Sequence, residues 1–175
     1  SSQDVLLAVD GGNSKPDVLL LDLSGRVLAQ VRGPSCAPIH HGLDGAMDIL
    51  DHLVRRTVAA VPSPAEELIR PAVGVFALAG ADLPHEEEQL LAACEGRGWV
   101  QRAVVKNDAF ALLRAGTERG WGVAVVCGAG INAVGVGPDG GQQSDRAVVE
   151  PPGDEPQDLG ARPVQPLRVV DRHEE

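Results

Sequence analysis

The sequence predicts an α/β domain on a mixed sheet, in which an antiparallel three-stranded meander opens the chain and helices then alternate with further strands. Three observations predict it. Residues 5–33 hold three short apolar runs parted by glycine-bearing turns. From Leu43 the apolar spacing changes to three and four. After Pro71, apolar runs and helical patterns alternate, giving a βββαβαβα order that begins to repeat near residue 121.

Taken in order, VLLAVD (5–10) is an apolar run that ends in a carboxylate, and Gly11-Gly12-Asn13-Ser14-Lys15-Pro16 is a tight loop before DVLLLDL. Ser24-Gly25 turns the chain into VLAQVRG, which completes the meander. The first strand is apolar nearly throughout, as a strand covered on both faces would be. Leu43, Met47, Leu50, Val54, Val58 and Val61 mark one side of an amphipathic helix, with Asp44, Asp48, Asp51 and Arg55 on the other. PAVGVFALAG (71–80) is the next strand. Asp82 and Pro84 then start a helix that Glu86 to Glu88 favour at its N-terminal end and that Gly96 and Gly98 stop. WVQRAVV (99–105) is a strand running into Lys106-Asn107-Asp108, and AFALLRAGTERG is a short helix closed by Gly120. Residues 121–137 read as strand, glycine loop and strand, with Pro138-Asp139-Gly140 as the closing turn. Residues 141–175 are rich in proline and charge, without a long apolar run, and are expected to stay disordered.

Composition narrows the function. With 25 acidic against 15 basic residues the formal net charge is −10, and no basic cluster is present to attract a phosphate backbone, so nucleic acid is not an expected partner. No apolar run is long enough to span a bilayer, and a cytoplasmic protein is expected. Cys36, Cys94 and Cys127 are far apart and lack a CxxC pair, so reduced thiols are expected.

Glycine at 11 and 12 removes side chains from a loop whose N–H groups can then approach a phosphate closely. Asp10, at the end of the strand, is placed to hold Mg²⁺ directly or through water, and Lys15 to neutralise a terminal phosphate oxygen. A plain hairpin with a surface lysine is the competing reading. Gly128-Ala129-Gly130 is a second such loop, with the same alternative. Asp108 stands where a strand passes into a helix, the edge at which open α/β sheets place their chemistry, and it can accept a hydroxyl proton. Asn107 or Asp108 is equally suited to cap that helix, whose N-terminus should lower the carboxyl pKa. His40 and His41 in the loop after the meander suit either a polar ligand or solvent. Cys127 suits a small buried residue or a reactive thiol.

Four segments together resemble a known family. VDGGNSKPDVLLLDLSGRVLAQVRGPS is similar to the phosphate-1 segment of the BadF/BadG/BcrA/BcrD and N-acetylglucosamine kinase family, usually written DGGxTKT with a following strand and turn. FALAGAD, KNDA and VVCGAGINAVGVGPDG resemble the family's next three landmarks in the same order, and the match covers about residues 4–140.

The resemblance implies a ribonuclease H-like (actin-like ATPase) lobe over 3–120, the first hairpin of a second lobe over 121–140, and a tail over 141–175. It implies ATP and Mg²⁺ as cofactors, with Asp10 as the magnesium-linked aspartate. Gly11, Gly12, Asn13, Ser14 and Lys15 would form phosphate loop 1, and Gly128, Ala129 and Gly130 phosphate loop 2. Asp108 would be the base for the sugar hydroxyl, with Asn107 beside it, and the loop from Ser35 to His41 would face the sugar. The implied reaction is ATP-dependent phosphorylation of N-acetylglucosamine or glucosamine.

Pro16 stands where the family has Thr, and Ala129 replaces the Thr of the GTG loop; each removes polar contacts worth on the order of 1 kcal/mol beside the phosphates. The family's second lobe is long, and residues 141–175 do not read as its strands and helices. The expectation is therefore a truncated, inactive form, with a homodimer as a further expectation because a lobe face lacks its cover. Two other readings remain. One is the ATPase activator of a radical dehydratase, which needs interface cysteines for an iron–sulfur cluster. The other is a binding remnant that kept the fold and lost turnover.

Overall fold

The structure, a computed structural model, describes residues 5–62, 69–127 and 131–147, apart from the side chains of 127, 131 and 143–147. In chain order the elements are β1 (Val5–Gly11), β2 (Asp17–Asp22), β3 (Val27–Arg32), α1 (Pro38–Ala59), β4 (Val73–Leu78), α2 (Pro84–Arg97), β5 (Arg102–Asn107), α3 (Asp108–Gly116), β6 (Gly122–Cys127), β7 (Ile131–Val136) and β8 (Gln142–Ala147). They form a five-stranded sheet in the order β3-β2-β1-β4-β5 and a three-stranded sheet in the order β6-β7-β8. β1, β2 and β3 pair antiparallel, while β4 lies parallel to β1 and β5 parallel to β4, so the first sheet is mixed.

Apolar alternation decides which face of the first sheet is core. Leu7 and Val9 on β1, Val18 and Leu20 on β2, Phe76 on β4 and Val105 on β5 bury together with Met47, Leu50, Leu53 and Val54 of α1 and Leu90 and Cys94 of α2. On the other face Leu6, Ala8, Leu19 and Leu21 are half-buried and Val75 is exposed. The expectation that β1 is covered on both faces is therefore corrected: both helices that build the large core pack on one side.

The meander turn is held by Asp22, whose Oδ1 accepts from the Ser24 hydroxyl at 2.6 Å, the Ser24 N–H at 2.9 Å and the Arg26 N–H at 3.1 Å. Those donors, the Ser24 hydroxyl foremost, hold its pKa down at about 2. In α1 the backbone breaks helical geometry at Gly42 (φ 68°, ψ 173°), a conformation that costs glycine little. His40 and His41, read as loop residues, thus lie in a helical turn ahead of this kink, and both are exposed. Leu43 is also exposed; Ala46 and Leu53 are buried on the core side of α1 instead.

The Glu86 carboxylate accepts from the N–H groups of Asp82 and Leu83 at 3.1 and 2.9 Å, fixing the start of α2. The helix runs through Gly96 and ends at Gly98, so only the second of the two expected glycine stops acts. In the second sheet the Pro138-Asp139-Gly140 turn closes with Gly137 N–H on the Gly141 carbonyl at 2.8 Å and Gly141 N–H on Asp139 Oδ1 at 3.0 Å. The chain then continues into β8, which pairs antiparallel with β7 from Gln142 to Ala147. Disorder expected from residue 141 onward is corrected for this stretch. An edge strand draws its order from backbone hydrogen bonds to its neighbour, which polar residues make as well as apolar ones. The rest of that tail, 148–175, lies outside the described residues.

Candidate active site

Strand register builds the site. Gly11 at the end of β1 stands opposite Leu78 of β4, and Leu78 stands opposite Asn107 of β5. Three strand ends therefore meet at one edge, and the Ala79 N–H donates to the Gly11 carbonyl at 3.0 Å to lock the first two. A Cβ on Gly11 would collide with the Leu78 side chain, which would have to shift to admit it, so packing favours glycine there. Gly12 is different. Among the described residues a Cβ there would meet nothing nearer than Asp10 Oδ1 at 3.9 Å, an ordinary contact, so no packing among them asks for a bare backbone at this position.

Asp10 sits at the rim with its side chain exposed. Its carboxyl pKa is raised, mainly by partial desolvation and then by the charge of Asp17, while the Gly12 N–H and Arg32 pull the other way. Arg32 is itself engaged by Asp17, whose carboxylate it grips at 2.6 to 3.0 Å. Asn13, Ser14 and Lys15 are exposed beyond the glycines, and Pro16 is buried. The Ser35 hydroxyl donates to the Asn13 carbonyl at 2.7 Å and the Gly33 N–H to the Pro16 carbonyl at 3.0 Å. Ser35, which the resemblance would set toward the sugar, braces the first glycine loop. His41 stacks edge-on with His40, ring centroids 6.3 Å apart, and among the described residues neither has a hydrogen bond to this edge.

Sequence left open whether Asn107 or Asp108 caps the helix. Asn107 does: its Oδ1 accepts from the Ala109 N–H at 2.9 Å, and the side chain is fully buried. Asp108 is left in the first turn of α3 with its carboxyl half-buried. The expected lowering of its pKa by the helix N-terminus is overturned. Burial raises the pKa, the charges of Asp10 and Asp82 add to that, and the hydrogen bond from the Ala109 N–H offsets only part of it. Asp108 thus feels the charge of Asp10 across the edge.

Two residues of this edge escaped the sequence reading. Asp82, read only as a helix start, accepts from Asn107 Nδ2 at 2.5 Å. Asn132 of β7 donates its Nδ2 to Asn107 Oδ1 at 3.0 Å and to Asp82 Oδ1 at 3.3 Å, so it ties the second sheet to the first. Its place in GAGIN was visible, but a polar residue on an apolar strand carries no signal of the partner it will find. Gly128, Ala129 and Gly130 lie outside the described residues, as does the side chain of Cys127. Cys36 and Cys94 are buried thiols whose pKa burial pushes up to about 11 and about 12.

Among the described residues no three His, Cys, Asp or Glu side chains group as a metal cage. The donor set that is present, one rim carboxylate beside bare backbone, suits a magnesium ion that keeps most of its waters and binds phosphate oxygens. No helix of the described residues is long and apolar enough to cross a membrane.

No protein-family model matches the chain. It is 25% identical over 150 residues to the N-acetyl-D-glucosamine kinase of Dictyostelium discoideum, a match covering 79% of this chain and 46% of that protein. Among solved structures it superposes on a candidate N-acetylglucosamine kinase of Chromobacterium violaceum with a TM-score of 0.62 at 20% identity, over 82% of this chain and 49% of that one. A ROK family glucokinase of Streptomyces griseus, solved with glucose and AMPPNP, gives a TM-score of 0.51 at 18% identity over 75% of this chain and 43% of that one. The chain spans about half the length of the relatives it matches. On these likenesses and the strand order described above, the chain has the N-acetylglucosamine-kinase-like form of the actin-like ATPase fold.

Proposed function

We propose that this chain carries the base-bearing lobe of an ATP-dependent amino-sugar kinase and acts in the cytoplasm. The observation that carries the proposal is the meeting of Asp10, the open backbone at Gly12 and Asp108 at one sheet edge, in a chain similar along most of its length to an N-acetyl-D-glucosamine kinase.

The residues divide the work by their surroundings. Gly12 leaves the loop backbone without a side chain in the way of an approaching phosphate, and Lys15 on the exposed side of the loop adds positive charge. Asp10 is the group to hold Mg²⁺, which supplies neutralisation of phosphate charge when bound. Asp108 accepts the proton of the sugar hydroxyl, and its raised pKa makes it a better base than an ordinary surface carboxylate. Phosphoryl transfer relies mostly on alignment and charge stabilisation, so a rigid capped helix under the base matters as much as its basicity. Gly128, Ala129 and Gly130 are proposed as the second phosphate loop, and Ser35 and His41 as the sugar-side loop. The domain limits 3–120 and 121–140 are likewise proposals, the second extended to 147 by β8.

The activator reading is disfavoured at two of its three cysteines. Cys36 and Cys94 are buried with raised pKa, the opposite of exposed thiolates ready to ligate iron. A sugar-binding remnant keeps the same site and differs only in turnover.

Calorimetry with Mg-ATP and with N-acetylglucosamine, followed by a phosphorylation assay, tests the proposal. Binding of the sugar that Asp108→Ala abolishes is expected, whether or not turnover accompanies it. If neither ligand binds to the wild-type chain, the kinase reading is wrong.

A further inference from the structure

The described side-chain hydrogen bonds between the two sheets converge on Asn132. Its Nδ2 donates to Asn107 Oδ1 and to Asp82 Oδ1, and Asn107 Nδ2 closes the triangle on the same Asp82 oxygen. The three members come from three places: the turn after β4, the junction of β5 with α3, and the start of β7. Asn107 simultaneously caps α3 through the Ala109 N–H, and Asp108 is the next residue.

Asn132 directs its donor at both acceptors, while its own buried Oδ1 has no hydrogen-bond partner among the described residues. A buried acceptor left unpaired has lost its hydration without regaining a hydrogen bond. The donor contacts therefore hold the amide in an orientation that is unfavourable for its other end, and a carboxylate at 132 would set acceptor against acceptor.

We propose that Asn132 is a positioning residue: by clasping Asn107 and Asp82 it sets the carboxylate of Asp108 relative to the β6–β7 hairpin. Naming Asp108 a base rests on the kinase reading; the clasp itself does not. The groups that face Asp108 are Asp10 from β1 and Asp82 from the turn after β4, with Arg32 reaching Asp10 from β3.

Carbon-13 titration of the Asp108 carboxyl in the wild-type chain, Asn132→Ala and Asn132→Asp tests this, with the indole N–H resonance of Trp99 as a control for the distant core. Asn132→Ala opens the junction to water and is expected to bring the Asp108 midpoint down toward that of a free carboxylate. Asn132→Asp adds a negative charge and is expected to push it up by about one pH unit. A residue that merely held the fold would shift both variants the same way or neither. An Asp108 midpoint unchanged in both variants, with the Trp99 indole resonance as in wild type, overturns the proposal.

The wild-type chain supplies a readout if a variant does not fold. Side-chain amide protons of Asn132 are expected to exchange at least about 100-fold more slowly than those of a free amide; exchange at the free rate overturns the clasp. Opposite shifts at Asp108 together with no binding of sugar would uphold the clasp and reject the kinase reading.

Discussion

In the five-stranded sheet Leu7, Val18, Leu20 and Phe76 are almost wholly buried under α1 and α2, whereas in the three-stranded sheet Val123 and Val125 are 74% and 54% exposed on the face that α3 leaves open. Ala124 and Val134 pack with Ala109 and Leu113 of α3 on the other face, a core of four buried residues among those described. The strands of the two sheets are similar in length, and β6 and β7 are as apolar as the strands of the first sheet, while β8 is polar. Among the described residues α1 and α2 cover the first sheet, and α3 packs on the second. The first sheet carries its own stability. The second is held in place by α3 and by the Asn132 clasp, so it contributes position more than free energy.

The sharpest way to break this comparison is to hollow each core. Phe76→Ala should lower unfolding free energy by about 3–5 kcal/mol, and Val134→Ala by about 2 kcal/mol or less, both read from urea midpoints. Equal losses would mean that the second sheet is as firmly built as the first. Next, Gly11→Ala should cost about 1–3 kcal/mol because its Cβ meets Leu78, while Gly12→Ala should change stability by no more than about 0.5 kcal/mol. Gly12→Ala should nevertheless weaken Mg-ATP binding about tenfold in calorimetry, separating a glycine kept for packing from one kept for a ligand.

Asp108 gives a smaller, pH-dependent effect. Its folded pKa is raised above the unfolded value, so the folded state binds the proton more tightly. Stability then falls as pH rises from the unfolded pKa through the folded one, and the cost is fully present above it. Thermal unfolding of Asp108→Asn should show a higher midpoint than wild type at pH 7, with the gain from this linkage vanishing below the unfolded pKa. The smallest expected effect on stability is at the open face. Val123→Thr with Val125→Thr should change unfolding free energy by about 0.5 kcal/mol or less, yet reduce any self-association measured by light scattering.

Much of the first sheet was legible because its signals are local. The VLLAVD run and the Ser24-Gly25 turn mark the meander, and the three-four spacing from Met47 to Val58 marks the core side of α1. Asp10, Gly11 and Asp108 stood out for the same reason, each at the end of a strand. The misreadings share a cause in tertiary context. Leu43 fits the helical pattern but falls beside the Gly42 kink, and β8 has no apolar pattern because its order comes from β7. Asp108 was assigned a lowered pKa from its helix position, when burial beside two other carboxylates decides the sign. Asn132 was unreadable because its partners lie 25 and 50 residues away in sequence.

The central claim is that one sheet edge binds both a nucleotide phosphate and an amino sugar. Backbone amide shifts in nitrogen-15 spectra, recorded while Mg-ATP and then N-acetylglucosamine are added, test it most directly. The account predicts that Mg-ATP moves the amides of Gly11, Gly12 and Asn13 and that the sugar moves those of Asp108 and Ala109. Shifts confined to other parts of the molecule, or none with either ligand, would contradict it.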